Sequence, residues 1–260
     1  MRADRVWEVA RKDMESASRH RYVLYGFIGV PLIFALLIPL TTLYPAMRGE
    51  APSENELPPF APPGMEPKQA LVAGLVDTTL LMFMFLPSFI PSVIASYTFV
   101  GEKVNRQLEP LLAAPLTDLE LLTGKLLGAL LPTLLVTWAS FAVFVLVVDL
   151  LTFPLFGYLL LPNLLSAVVL LLYCPLISLL SISWSILVSS RVSDVRAAMQ
   201  LGGVAVLPTL AFYLLCLGGI LPLEKYALAG FWALLALTAL GLFLLGKRTF
   251  GREEILTRWR

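Results

Sequence analysis

The sequence predicts an all-α membrane protein with six transmembrane helices, and three observations carry that reading. Apolar residues fill 58% of the 260 positions against 14% charged, with a mean hydropathy of +0.83, which excludes an ordinary soluble globule. Six apolar windows reach the roughly 20 helical residues needed to cross about 30 Å of hydrocarbon. They lie at 22–44, 78–100, 126–148, 159–188, 201–221 and 226–246. The basic residues are also unevenly placed. If the N-terminus is inside, 16 of the 19 Lys and Arg fall on the inner side and only Arg48, Lys68 and Lys225 fall outside. That asymmetry orients the chain with both termini cytoplasmic.

The first 21 residues form an amphipathic helix, with Ala3, Val6, Trp7, Ala10, Met14 and Ala17 on one stripe. Glu8/Lys12 and Glu15/Arg19 are favourable i,i+4 pairs on the other side. Such a helix is expected to lie in the inner interface with Trp7 at headgroup depth. The first span follows it without a cleavage-like site and is expected to be an anchor, not a removed signal. Residues 45–74 come next, an external loop with seven prolines, more Glu than Lys and Arg, and no His or Cys. An extended or poorly ordered loop is the expectation there.

The second span carries Ser88, Ser92 and Ser96 at i,i+4 spacing, and the fourth carries Ser178, Ser181, Ser185 and Ser189. Helix packing through small polar residues and a wet, substrate-facing wall are both open readings of these faces. The third span opens with Gly124 and Gly128, a small-xxx-small pair. The fifth is broken near its outer end by Gly218, Gly219 and Pro222, and this end is expected to fold back into the protein. Cys174 and Cys216 are intramembrane at different depths, so no disulfide between them is expected.

Between the second and third spans lies a polar, proline-punctuated island, 101–125. Val104, Leu108, Leu111 and Leu112 share one helical face, with Lys103, Arg106, Gln107 and Glu109 on the others. Pro110 breaks that helix, and Pro115 stops the short piece that follows. Thr117 and Glu120 form a capping box that starts the helix of the third span. The product is an elbow with a leucine ridge, made either to rest on lipid headgroups or to dock on a partner.

Several chemistries lack their residues. The single histidine, His20, lies outside the spans, so neither a Ser/His hydrolase nor a His-ligated metal site is available. The acids nearest the hydrocarbon, Asp77, Glu102 and Asp149, sit at span ends, leaving no midplane group for ion coupling. There is no phosphate-binding loop, since Gly124-Lys125 is followed by Leu126 and preceded five positions earlier by Leu119. A net charge of +1 and the lack of a basic, aromatic-interleaved run give no case for nucleic acid.

Over 27 residues the elbow resembles the signature segment of ABC type-2 transporter permeases. The matching stretches are Phe99 to Lys103, Leu108-Glu109-Pro110-Leu111-Leu112-Ala113-Ala114-Pro115-Leu116-Thr117, Glu120-Leu121 and Gly124-Lys125. Arg106-Gln107 stands where many members have Gly-Thr. The resemblance implies a non-catalytic permease subunit of an ABC exporter in the plasma membrane, 1–260 forming one transmembrane domain. It further implies a homodimer or related heterodimer, two copies of a separate ATPase that binds ATP and Mg, and no cofactor or metal on this chain. Segment 101–125 would be the cytoplasmic coupling helix, with Leu108, Leu111, Leu112 and Pro115 forming the docking ridge and Glu102, Arg106 and Glu109 as polar anchors. A pathway lined by the second and fifth helices would involve Ser88, Ser92, Ser96, Thr209, Phe212 and Tyr213. Competing readings are a membrane scaffold whose ATPase partner performs conformational work, and an ion-gradient-driven carrier.

Overall fold

A computed structural model describes residues 2–19, 21–50, 62, 64–104, 116–192, 194–221 and 225–249. Among them there is no strand. Helix α1 is Ala3–Arg19 and α2 is Arg21–Arg48. Helix α3 runs over Pro67–Gly101, α4 over Asp118–Phe156, α5 over Leu164–Ser189, α6 over Val195–Leu217 and α7 over Lys225–Thr249. Helices α2 to α7 are long and apolar enough to cross a membrane, so the six expected spans are present.

Their limits differ from the apolar windows. At 39 residues α4 is about 58 Å long at 1.5 Å per residue, so it outruns the hydrocarbon at both ends. The Thr117/Glu120 capping box starts it as expected, and Gly157, in the left-handed region at φ 72°, ends it by donating its N–H to the Phe153 carbonyl. Helix α2 continues through Pro45 to Arg48 and α3 begins at Pro67, which shortens the expected 45–74 loop to 49–66. Most of that loop, 51–61 and 63, lies outside the described residues. Because α3 starts early, Asp77 sits well inside a helix and not at a span end. Its carboxyl shares a hydrogen bond with Asn163. The Asp149 carboxylate accepts from the backbone N–H groups of Leu160 and Leu161, each at 3.1 Å. Both acids thus serve the return from α4 to α5.

Three irregular turns each lie just upstream of a proline. Proline lacks an N–H and its ring collides with the carbonyl four residues earlier. For Pro87, Pro175 and Pro208 those carbonyls belong to Phe83, Leu171 and Val204. Each lies in the irregular turn just upstream: a 3₁₀ turn at Phe83–Phe85, a π turn at Val169–Tyr173 and a 3₁₀ turn at Gly203–Val206. Next to Leu171, the Leu170 carbonyl accepts from the Trp138 indole of α4 at 3.3 Å. A fourth irregular turn, the π turn Ser96–Gly101, has no such proline.

The helices pack around two apolar clusters. One joins α2, α3 and α4 around Phe83, whose ring meets Phe144 at 4.7 Å and Phe141 at 5.5 Å. The other joins α5, α6 and α7, with Phe231 of α7 stacked on Phe212 at 3.9 Å and on Tyr173 at 5.8 Å. The Tyr173 hydroxyl donates to the Leu228 carbonyl at 2.5 Å. Cys174 and Cys216 are free thiols buried in this second cluster. The outer end of α6 departs from expectation. Gly218, Gly219 and Ile220 are exposed, and the helix closes in a C-terminal turn in which the Ile220 and Leu221 N–H groups both donate to the Leu215 carbonyl. Those backbone groups are satisfied locally, so the turn needs no shelter from the rest of the protein.

Helix α1 is seated on α4, not spread on a surface of its own. Its buried stripe is Val6, Val9, Ala10 and Asp13, while Trp7 is half exposed, so the contact face is rotated from the Trp7/Met14 stripe. The small pair of the third span supplies the seat. A Cβ added to Gly124 would stand 2.7 Å from the Val9 Cβ and 2.9 Å from the Val6 carbonyl, and one at Gly128 would stand 3.0 Å from the Asp13 Cβ. Replacing Gly124 by Val should unseat α1 and cost about 1–3 kcal/mol through overpacking. Trypsin cleavage at Arg11 would then accelerate in detergent-purified protein; wild-type protection would contradict the seat.

Candidate functional site

Residues 105–115 lie outside the described ones, and buried charge gathers at the described residues on either side, near Glu102 and Glu120. Lys125, in the first turns of α4, is fully buried. Its ammonium reaches Glu102 Oε2 at 2.7 Å, the Thr98 carbonyl at 3.1 Å and Asp13 Oδ2 at 3.3 Å, and lies 4.9 Å from the centre of the Phe99 ring. The other oxygen of Glu102 pairs with Lys12. Three chain segments therefore meet on one ammonium: α1 through Asp13, the end of α3 through Thr98 and Glu102, and α4 through Lys125 itself. Asp13 Oδ1 has no hydrogen-bond partner among the described residues.

A second tie holds the start of α4. Glu120, besides closing the box with Thr117, accepts from the Arg2 backbone N–H at 2.8 Å, with the Arg5 guanidinium 4.0 Å away. Helix α1 thus grips both edges of the 105–115 segment, through Lys12 at Glu102 and through Arg2 at Glu120. Of the i,i+4 pairs expected on α1, Glu8/Lys12 gives way to this arrangement, and the Arg19 side chain of the other pair lies outside those described. Lys12 turns to Glu102 instead of Glu8, and Glu15 pairs with Arg11 at 3.0 Å.

The two buried carboxyls are tuned in opposite directions. Burial pushes Asp13 above the ordinary carboxylate range, because Lys125 only partly offsets it and the Glu102 charge adds to it. Burial also opposes the Glu102 charge, but Lys125, with the hydrogen bonds from Lys12 and Lys125, outweighs it and holds that carboxyl below its ordinary range.

Residues 7–247 match the family model described as ABC-2 family transporter protein. The chain belongs to this family. Members are in general non-catalytic membrane components that partner with ATPase subunits. No curated protein matches the chain.

Of the coupling residues expected in this ABC-2 transporter protein, Glu102 is inside the charge cluster, only 5% exposed, so its carboxylate is engaged within the chain and does not stand free as an anchor. Arg106, Leu108, Glu109, Leu111, Leu112 and Pro115 lie outside the described residues. The expected pathway residues are covered by the chain's own helices. Ser88, Ser92 and Ser96 are buried. The Ser88 and Ser92 hydroxyls donate to the Phe85 and Phe89 carbonyls, and the Ser88 carbonyl accepts from Ser181 of α5 at 2.6 Å. A Cβ on Gly202 of α6 would stand 3.0 Å from the Ser92 Cβ, so small residues let α3 and α6 touch there. Thr209 is buried, Phe212 is stacked on Phe231, and Tyr213 meets Phe85 edge-on at 5.4 Å. In the single chain all six are buried, and the Ser96 and Thr209 hydroxyls have no hydrogen-bond partner among the described residues. Asp13, Lys12 and Lys125 escaped sequence reasoning, although a lysine among apolar residues at the root of a span was a signal that a buried acid must face it.

Folding linkage gives each carboxyl a sign. Asp13, raised on folding, contributes stability below the ordinary carboxylate range and loses it as pH rises through its folded value. Glu102, lowered, contributes above the ordinary range and loses it as pH falls through its folded value. Glu102→Gln should therefore lower the melting temperature at neutral pH, with the difference closing on acidification, whereas Asp13→Asn should be near neutral or stabilising there. Lys125→Met, which strands two buried carboxylates, should cost about 3–5 kcal/mol. Tryptophan-fluorescence melts of the three variants across pH check all of this, and equal shifts for Glu102→Gln and Asp13→Asn would refute the assignment.

Proposed function

We propose that the chain is the permease subunit of an ATP-driven exporter, working as a dimer with two separate ATPase subunits that bind ATP and Mg. Segment 101–125 is the coupling element, and it and both termini face the cytoplasm at the plasma membrane. The observation that carries this reading is the fixation of both edges of 105–115, by Glu102 at one side and by Thr117 and Glu120 at the other. A loop resting passively on headgroups gains nothing from such fixation. A loop that receives a push must have stiff roots, or the displacement dissipates locally.

In mechanism, the ridge of Leu108, Leu111 and Leu112 enters a cleft of the ATPase, with Arg106 and Glu109 at its polar rim and Pro115 fixing its end. Nucleotide-driven closure displaces the ridge. Glu102 and Lys125 hold the α3 and α4 roots together while this happens, and α1 moves with them because Lys12, Asp13 and Arg2 join it to both. The force then enters α4 at its capped first turn and travels along an unbroken helix. Glu102 is in this scheme a positioning residue that acts through Lys125.

Leu111→Asp should abolish co-purification with the partner ATPase while leaving the permease's melting temperature unchanged, because it drives a charge into an apolar contact. Retention of the ATPase at wild-type levels would remove the docking role.

A further inference from the structure

The face of α3 next to its serines carries Phe89, Val93 and Tyr97, and it is not used for internal packing in the same way. With α2 and Met199 of α6 these residues bound a half-open cavity of about 450 Å³, exposed on the side of Tyr25, Val30 and Phe89. Small-molecule sites typically occupy about 300–1,000 Å³. Tyr25 and Phe27 of α2 add two more rings, so four aromatic side chains look onto the space. Among the described residues lining it there is no charged side chain, and the phenols of Tyr25 and Tyr97 are the polar groups their side chains supply. Gly26 lies on the same wall, and a Cβ placed on it would meet nothing within 4 Å, so the space reaches the α2 backbone itself.

These walls select by chemistry. A small hydrated ion would lose its hydration with no opposite charge among the described lining residues to replace it. Planar rings gain from edge and offset contacts with the four aromatic side chains beyond what an alkyl chain obtains from area alone. We propose that this cavity binds an uncharged, weakly polar aromatic molecule, and, resting on the permease reading above, that this is the class of substrate the transporter exports.

The test uses the full chain in phosphatidylcholine nanodiscs without any ATPase. The probe is the uncharged photoreactive 3-trifluoromethyl-3-(m-iodophenyl)diazirine, with labelled positions mapped by mass spectrometry. Labelling at Phe89–Tyr97 and at 25–30 should fall severalfold under excess non-photoreactive iodobenzotrifluoride, whereas labelling at the exposed Leu135 and Leu237 should not. Gly26→Phe should abolish the competable fraction by filling the cavity from α2, and Val93→Trp should do so from α3, so one folded variant suffices. Labelling at Phe89–Tyr97 as insensitive to competitor as that at Leu135 would mean lipid fills the space and would overturn the site. Competition by tetraphenylphosphonium as strong as by the neutral compound would overturn the preference for uncharged ligands. Competable labelling in a chain that fails to couple to an ATPase would refute the exporter reading and leave the cavity standing; the reverse result would refute the cavity alone.

Discussion

One ammonium group organises the end of the bundle at which α3 and the start of α4 meet α1. Lys125 is fully buried, and a buried charge is tolerated only where opposite charge and hydrogen-bond acceptors surround it. Glu102, Asp13 and the Thr98 carbonyl meet that demand, and each belongs to a different stretch of chain from Lys125. The electrostatic requirement of a single side chain therefore ties α1, the stretch from Thr98 to Glu102 and the first turns of α4 together. The π turn at Ser96–Gly101 fits the same requirement, since it holds the Thr98 carbonyl and the Phe99 ring beside the ammonium.

Close packing and charge act together at this root. Gly124 and Gly128 let the α1 backbone come within contact of α4, which brings Asp13 to Lys125, and Lys12 on the next position then faces Glu102. Either device alone would be weak. Glycines without the charge cluster would leave α1 free to slide along α4, and the charges without the glycines would not reach. Their combination gives α1 one register, and through Arg2 and Glu120 that register is carried to the first turn of α4.

Sequence reasoning resolved what depends on neighbours along the chain. The six spans follow from runs of apolar residues, and the Thr117/Glu120 box from a three-residue spacing that both hydrogen bonds now occupy. The identity of the family was legible in the elbow from Phe99 to Lys125 and is matched over 7–247. What stayed hidden depends on contacts across the fold. Lys12 and Glu102 are 90 positions apart, Asp13 and Lys125 are 112 apart, and no periodicity links them. The serine faces illustrate the same limit, because Ser88, Ser92 and Ser96 have a spacing that suits either a wet wall or a tight helix contact. Within the chain Ser181 lies against Ser88 and Gly202 against Ser92, contacts that no spacing discloses.

The prolines leave a mechanical legacy. At Phe83, Leu171 and Val204 the regular ladder is already interrupted, so α3, α5 and α6 each contain a place where bending breaks few further bonds. Helix α4 has no such interruption between Asp118 and Phe156, despite Pro132 and Pro154. The bundle thus joins three articulated rods to three uninterrupted ones, α2, α4 and α7, and any rearrangement of its interior is concentrated at those articulations.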